Sequence, residues 1–402
     1  MLTYYQIRNR EQHGNFRSRR GLVIVLAAFL MVAMMGFTAL VVDFGFMSLI
    51  RNEMQTAADA SALAAGMELA DGYGPGAVRT QAQMVTRAQS AGVTIAAANR
   101  MADRSTAYLN SARDLEFGKQ VWNNSTQKWD FQSGASPFTA VRTTIRRDQV
   151  QQNGSDSVAP DGPIDLFFAR VLGNKTASFR AKAVAALKPG AGIKVTSGST
   201  ATAEVLPIAL DQQTWTNLLA GTGSDNYSYD SQTGTVSSGS DGIKEVNIYP
   251  TGSANLPPGN RGTVDFGSSN NSTADLSRQI RYGLNASDLS YFPNNEIRFD
   301  NGPMIINGDT GISAGIKDDL AAIMGKPRAM PLFTSVSGPG NNAMYTIVKL
   351  VGVRIVNVKL TGSPSQKQVV VQPATFVSRQ VITSTDQQVL PDSIFAPVRL
   401  VE

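Results

Sequence analysis

The sequence predicts an α+β protein. An N-terminal transmembrane helix extends into a helix-plus-small-antiparallel-sheet module, and a β-rich C-terminal domain follows. Three observations carry this. Gly21–Val42 is 22 residues without a charge. Asp43–Ala70 contains no proline and is rich in Ala, Met, Leu and Glu, which are good helix formers. Beyond Gly190 the composition shifts to Gly, Ser, Asn and Thr, with short apolar or β-branched runs between turn residues.

At about 1.5 Å per residue the uncharged run makes a helix of about 33 Å, enough to cross a hydrocarbon core of about 30 Å. Arg8, Arg10, Arg17, Arg19 and Arg20 against Glu11 give the first 20 residues a charge of +4, out of +5 for the whole chain. The basic balance therefore belongs to the tail, and nucleic acid is not an expected partner. The positive-inside rule makes Arg17, Arg19 and Arg20 the topology determinants. It puts the tail in the cytoplasm and the bulk outside. The run exceeds the apolar core of a secretory signal and no clear Ala-x-Ala follows, which favours a retained anchor over cleavage.

Beyond the span, Phe46, Ile50, Met54, Ala57, Ser61 and Ala64 recur at helical spacing. This small-residue face suits close packing, and Ala57, Ala58, Ser61 and Ala64 are the candidate helix-packing interface. Asp71–Gly76 breaks the helix, and Ala77–Ser111 reads as a second helical region. Leu115–Phe131 reads as a hairpin with Trp122 and Trp129 as cross-strand partners. In Phe138–Arg147, Val141, Thr143 and Ile145 alternate with Arg142, Thr144 and Arg146, as in a half-buried strand. The arginine face reads as solvated, with an acidic partner or lipid headgroups as the alternative. Gln149–Gly162 reads as a polar loop, Ile164–Leu172 as a short apolar, helical arm, and Lys175–Leu187 as a closing strand. In the β-rich part, Val205–Leu210, Ile243–Tyr249, Tyr345–Val358 and Gln368–Val371 read as strands. Only Leu276–Tyr282 and Ile316–Met324 read as helical, and Gly221–Gly242 as a mobile loop. The expected division is residues 1–20, 21–43, 44–190 and 191–402.

The chain has no cysteine, and its one histidine is His13. Thiol chemistry, Ser-His-Asp catalysis and His-based metal sites are thereby excluded from the region beyond the span. Asp309, Asp318 and Asp319 are the remaining carboxylates of interest. No closing Glu completes a calcium loop there, and Asn-Gly and Asp-Thr-Gly are ordinary turn chemistry. Gly338–Asn342 lacks the Lys-Ser/Thr of a phosphate loop. No cofactor, metal or catalytic residue is expected.

Arg19–Arg20–Gly21, the apolar helix, Val42–Asp43–Phe44–Gly45, Arg51 and the block Gln55–Ala64 resemble the N-terminal segment of Tad (tight-adherence, Flp pilus) assembly proteins, the TadE/TadG-like group. Ala140–Arg147, Pro163–Gly173 and Ala181–Leu187 resemble the end of the TadG-like extracytoplasmic module. The resemblance covers about residues 19–190 and implies a pilin-like module at 44–190. Two departures matter. Leu26 stands where a processed pilin would carry a membrane Glu, which favours an uncleaved TadG-like protein. No DxSxS run is present, since Asp59–Leu63 breaks that pattern, so metal-dependent adhesion is unsupported.

The resemblance implies a non-enzymatic, single-pass assembly or accessory component of a Tad/Flp-type pilus or secretion machine in the bacterial inner membrane. Its expected partners are the lipid bilayer and other pilus or envelope proteins, with self-association left open. The alternative is an anchored extracytoplasmic adhesin or binding module whose ligand site lies in the C-terminal β domain.

Overall fold

The computed structural model describes residues 20–149, 159–249, 261–267, 272–384 and 392–401. It has two compact units, Met1–Asn52 with Arg147–Phe179, and Glu53–Arg146 with Arg180–Glu402. Most of the expected Gln149–Gly162 loop lies outside the described residues.

In the first unit the dominant element is the leading part of helix α1 (Arg20–Met67). From Val23 to Val42 its large apolar side chains are exposed. It is the one helix among the described residues long and apolar enough to cross a membrane. The unit also holds two short paired strands, Ile164–Asp165 and Thr176–Ala177, with a 3-10 turn at Ala169–Leu172 between them. Ile164–Leu172 is thus not a helical arm. Only four residues take a helical turn, and Gly173 in the left-handed conformation at φ 93° ends it.

The second unit begins with the remainder of α1, whose helix gives way to a 3-10 turn at Glu68–Gly72. Helix α2 (Gln81–Ala98) starts with a capping box between Thr80 and Gln83. Strands β1 (Leu115–Asn123) and β2 (Lys128–Ser133) form the expected hairpin, with Trp122 opposite Trp129 and their rings edge to face at 5.5 Å. Strand β3 (Ala140–Arg147) pairs with β1. The long strand Phe179–Lys194 lies on the other side of β3 and carries Glu296–Arg298, Val381–Thr383 and Phe395–Val401 as further neighbours.

This strand does not stop before Lys188–Pro189–Gly190. Pro189, which has no N–H to offer, stands opposite Phe395, and the ladder resumes where the Gly190 N–H donates to the Ile394 carbonyl at 2.7 Å. The sheet therefore draws strands from both sides of residue 190.

A second seven-stranded sheet is built around Ala343–Lys359, which pairs with Met304–Thr310, Pro327–Ser337 and Gln368–Pro373. One core contains Phe266, Phe333, Tyr345 and Ile347. Another contains Trp215, Leu276, Ile280, Leu320, Val351 and Val353. The expected helices appear as Thr273–Tyr282 and Lys317–Ala321. Gln212–Leu219 is an unexpected one, capped by the Asp211 carboxylate accepting from the Thr214 N–H. Its inward face is only Trp215 and Leu218, too few for a periodic signal. Within Gly221–Gly242 the strands Tyr227–Asp230 and Thr235–Ser238 pair as a hairpin. Polar contacts hold its turn, such as Asp230 accepting from the Gln232 N–H, and the centre of the Tyr229 ring lies 3.6 Å from the Arg354 guanidinium.

Candidate functional site

Within the first unit, the distinctive site lies where the apolar run ends. Asp43 is the first charged residue after Arg20, yet it is only 2% exposed. A carboxylate removed from water needs its charge met by donors. Three backbone N–H groups supply them: Phe167 to Oδ1 at 2.8 Å, and Phe168 and Ala169 to Oδ2 at 3.0 and 2.6 Å. N–H groups at the start of a helical turn have no internal acceptors, and these lead into the turn Ala169–Leu172.

The turn is held from its own side as well. The Leu166 N–H donates to the Lys175 carbonyl and the Asn174 N–H to the Ala169 carbonyl, both at 3.0 Å. Ile164 and Leu166 are buried, whereas Phe167, Phe168, Val171 and Leu172 are exposed. Phe167 meets Phe46 edge to face with ring centroids 5.1 Å apart. The Arg51 guanidinium lies 4.7 Å from the centre of the Phe179 ring.

In the second unit, Ala57, Ala58 and Ser61 are buried and Ala64 is half-buried. Ser61 Oγ donates to the Gly92 carbonyl of α2 at 2.7 Å. A Cβ at Gly92 would lie 3.3 Å from Ser61 Oγ and 3.5 Å from Ala65 Cβ, so small residues on both helices permit the approach. On another face, Gln55 Nε2 donates to the Lys182 carbonyl at 3.0 Å. A Cβ at Gly66 would lie 2.7 Å from Val398 Cγ1. The small-residue face of α1 is thus packed by α2, and another face by strands of the same chain. Arg17 and Arg19 lie outside the described residues, and Arg20 opens α1.

The arginine face of β3 finds its acids inside the fold. Arg142 stands opposite Glu116 and donates to it at 2.5 Å, with its guanidinium 4.8 Å from the Phe131 ring centre. Arg142 is the main reason the Glu116 carboxyl is held below the usual range; burial opposes it and Ser133 assists. Arg146 and Arg113 both reach the buried carboxylate of Asp114, at 2.7 and 2.6 Å. In the first unit Arg147 Nε donates to the Gly162 carbonyl at 2.7 Å.

Two of the three aspartates weighed from the sequence have other roles. Asp309 sits in a strand opposite Thr263, and Asp319 pairs with Arg281. Among the described residues, no group of three or more His, Cys, Asp or Glu is placed to hold a metal ion.

The Asp43 site escaped sequence reasoning because its donors are 124 to 126 residues away and are main-chain groups. The available signal was the lone charge at the end of an apolar run, which calls for a partner.

No curated protein and no solved structure matches the chain. A family does match part of it. Residues 21–68, which are almost the whole of α1, match the family described as putative Flp pilus-assembly TadE/G-like.

Proposed function

We propose that the chain is a membrane-anchored, non-enzymatic assembly or accessory component of a Tad/Flp-type pilus or related secretion machine, TadG-like rather than a processed pilin. The observation that carries this reading is a coincidence of boundaries. The family match and the membrane-crossing candidate fall on one uninterrupted helix. That helix exposes large apolar side chains before Asp43 and buries small ones from Ala57 onward.

The mechanism is mechanical. The apolar half of α1 holds the chain in the bilayer. The second half packs its small-residue face against the chain's own α2. Contacts with other pilus or envelope proteins then fall to the outer surfaces of the second unit. With Leu26 at the fifth position after Gly21, a processed pilin would lack its membrane glutamate.

The test is to express the full chain in a bacterium, wash the membranes with carbonate, and sequence the N-terminus of the retained protein. Retention with an intact Met1 is expected. A start at Leu22 would convert the reading to a filament subunit, and release into the wash would end the anchor. Co-purification with Tad machinery proteins is expected after crosslinking. Surface binding that needs none of them would favour the adhesin reading.

A further inference from the structure

We propose that the turn Phe167–Leu172 is a second membrane contact, which inserts its apolar side chains into the leaflet from which α1 emerges. The proposal rests on the membrane-anchor reading above and adds an element outside the spanning helix.

The first argument is depth. Side chains of an α-helix tilt toward its N-terminus, so each covers the turn preceding its own Cα. The Asp43 carboxylate therefore lies beside residues 39–42, the last turn of the uncharged run. The three N–H groups bonded to it at 2.6 to 3.0 Å lie at that level too. Leu40 is on the same helix face as Asp43. It is 41% exposed, against 64% and 59% for Leu26 and Leu30 further along the run. The end of the run is partly covered on the side where the turn is bonded.

The second argument is composition. Val171 and Leu172 are 87% and 75% exposed, and Phe167 and Phe168 also face outward. Four large apolar side chains on a six-residue turn form a patch that water does not favour. Phe167 meets the ring of Phe46, one turn beyond Asp43 on α1, so the patch adjoins the helix just past the end of the uncharged run. Arg170, within the turn and paired with the exposed Asp165 at 3.0 Å, and Lys175, just beyond it, are exposed, as suits polar groups that stay at headgroup level while apolar neighbours enter the acyl region. Asp43 completes the device. A carboxylate at this depth is disfavoured unless paired, and its pairing with the turn's N–H groups fixes the turn against the helix.

The absence of cysteine makes the test direct. Full-length Leu172→Cys, labelled with nitrobenzoxadiazole, is reconstituted in vesicles of phosphatidylethanolamine and phosphatidylglycerol. A fraction of the lipid carries nitroxide at a shallow or a deep acyl position. Val32→Cys, in the middle of the span, and Gln232→Cys, on an exposed turn of the second unit, are treated alike. The expected result is strong quenching of the Leu172 probe by shallow nitroxide, of the Val32 probe by deep nitroxide, and none of the Gln232 probe. A Leu172 probe that behaves like Gln232 while Val32 is quenched would overturn the insertion and leave the anchor standing. A Leu172 probe shielded from aqueous iodide but untouched by lipid nitroxide would also overturn it, because protein would then cover the turn. An unquenched Val32 probe would instead sink the anchor reading.

Discussion

Ser61 Oγ donates to the main-chain carbonyl of Gly92 at 2.7 Å, a contact that joins α1 to α2 where neither helix has a bulky side chain. The bond is buried, and Ala57, Ala58, Ala62 and Ala65 are fully buried around it. A Cβ at Gly92 would meet Leu115 Cδ1 at 3.2 Å and Ser61 Oγ at 3.3 Å. Gly92→Ala should be close to neutral, because a gain of about 1 kcal/mol in helix propensity offsets this crowding. Gly92→Leu should cost about 1–3 kcal/mol by overpacking. Thermal unfolding of the full chain in detergent separates the two, and equal effects would argue against the close approach.

The same geometry bears on α1 itself. Ala58→Leu should lower stability by about 1–3 kcal/mol, whereas Ala64→Leu, at a half-buried position, should cost less. Neither should alter carbonate-resistant membrane retention, because the apolar run precedes both. If Ala58→Leu unfolded as the parent does but failed to assemble pili, the alanine face would be a partner surface rather than an internal one.

Asp114 is buried and accepts from Arg113, from Arg146 and from the Asn110 N–H. Removing one partner of a buried charge cluster is costly, so Asp114→Ala should destabilise by about 3 kcal/mol. Asp114→Asn keeps an acceptor and should cost less. Chemical denaturation reads both, and equal losses would mean that the charge contributes nothing.

Asp43→Ala removes the acceptor for the N–H groups of Phe167, Phe168 and Ala169. Hydrogen exchange at those three amides should accelerate while the helices of the second unit keep their protection. Unchanged exchange would show that the turn is held by its own hydrogen bonds alone.

The Asp265 carboxyl is pushed up to about 6, first by burial and then by Asp275 and Asp288. For an acid raised in the folded state, the favourable contribution is fully present below the unfolded value near 3.8 and is lost as pH rises through about 6. Asp265→Asn should therefore be more stable than the parent at pH 7–8, by about 1 kcal/mol after allowance for solvent screening. The two should converge below about pH 4. A constant difference across that range would refute the shift.

The parts of the fold whose causes are local are legible in the residues. The uncharged run and its proline-free continuation specify α1, because helix formation depends on residues within a few turns of one another. Alternation between Leu115 and Arg147 specifies β1, β2 and β3, and even the Trp122–Trp129 pair follows from the hairpin register. The motif block around Gln55–Ala64 was legible as well, and the family match falls on it.

Tertiary structure alone decided what fills each face. The acids opposite Arg142 and Arg146 lie 26 and 32 residues away, and the donors to Asp43 more than 120. The strand Phe395–Val401 returns to pair with Phe179–Lys194 across some 200 residues. Periodicity records which side of a helix or strand is apolar. It does not record which distant main-chain group satisfies a buried charge, because that depends on how the chain closes its long loops. The Asp43 site and the exposed turn bonded to it come from such a closure.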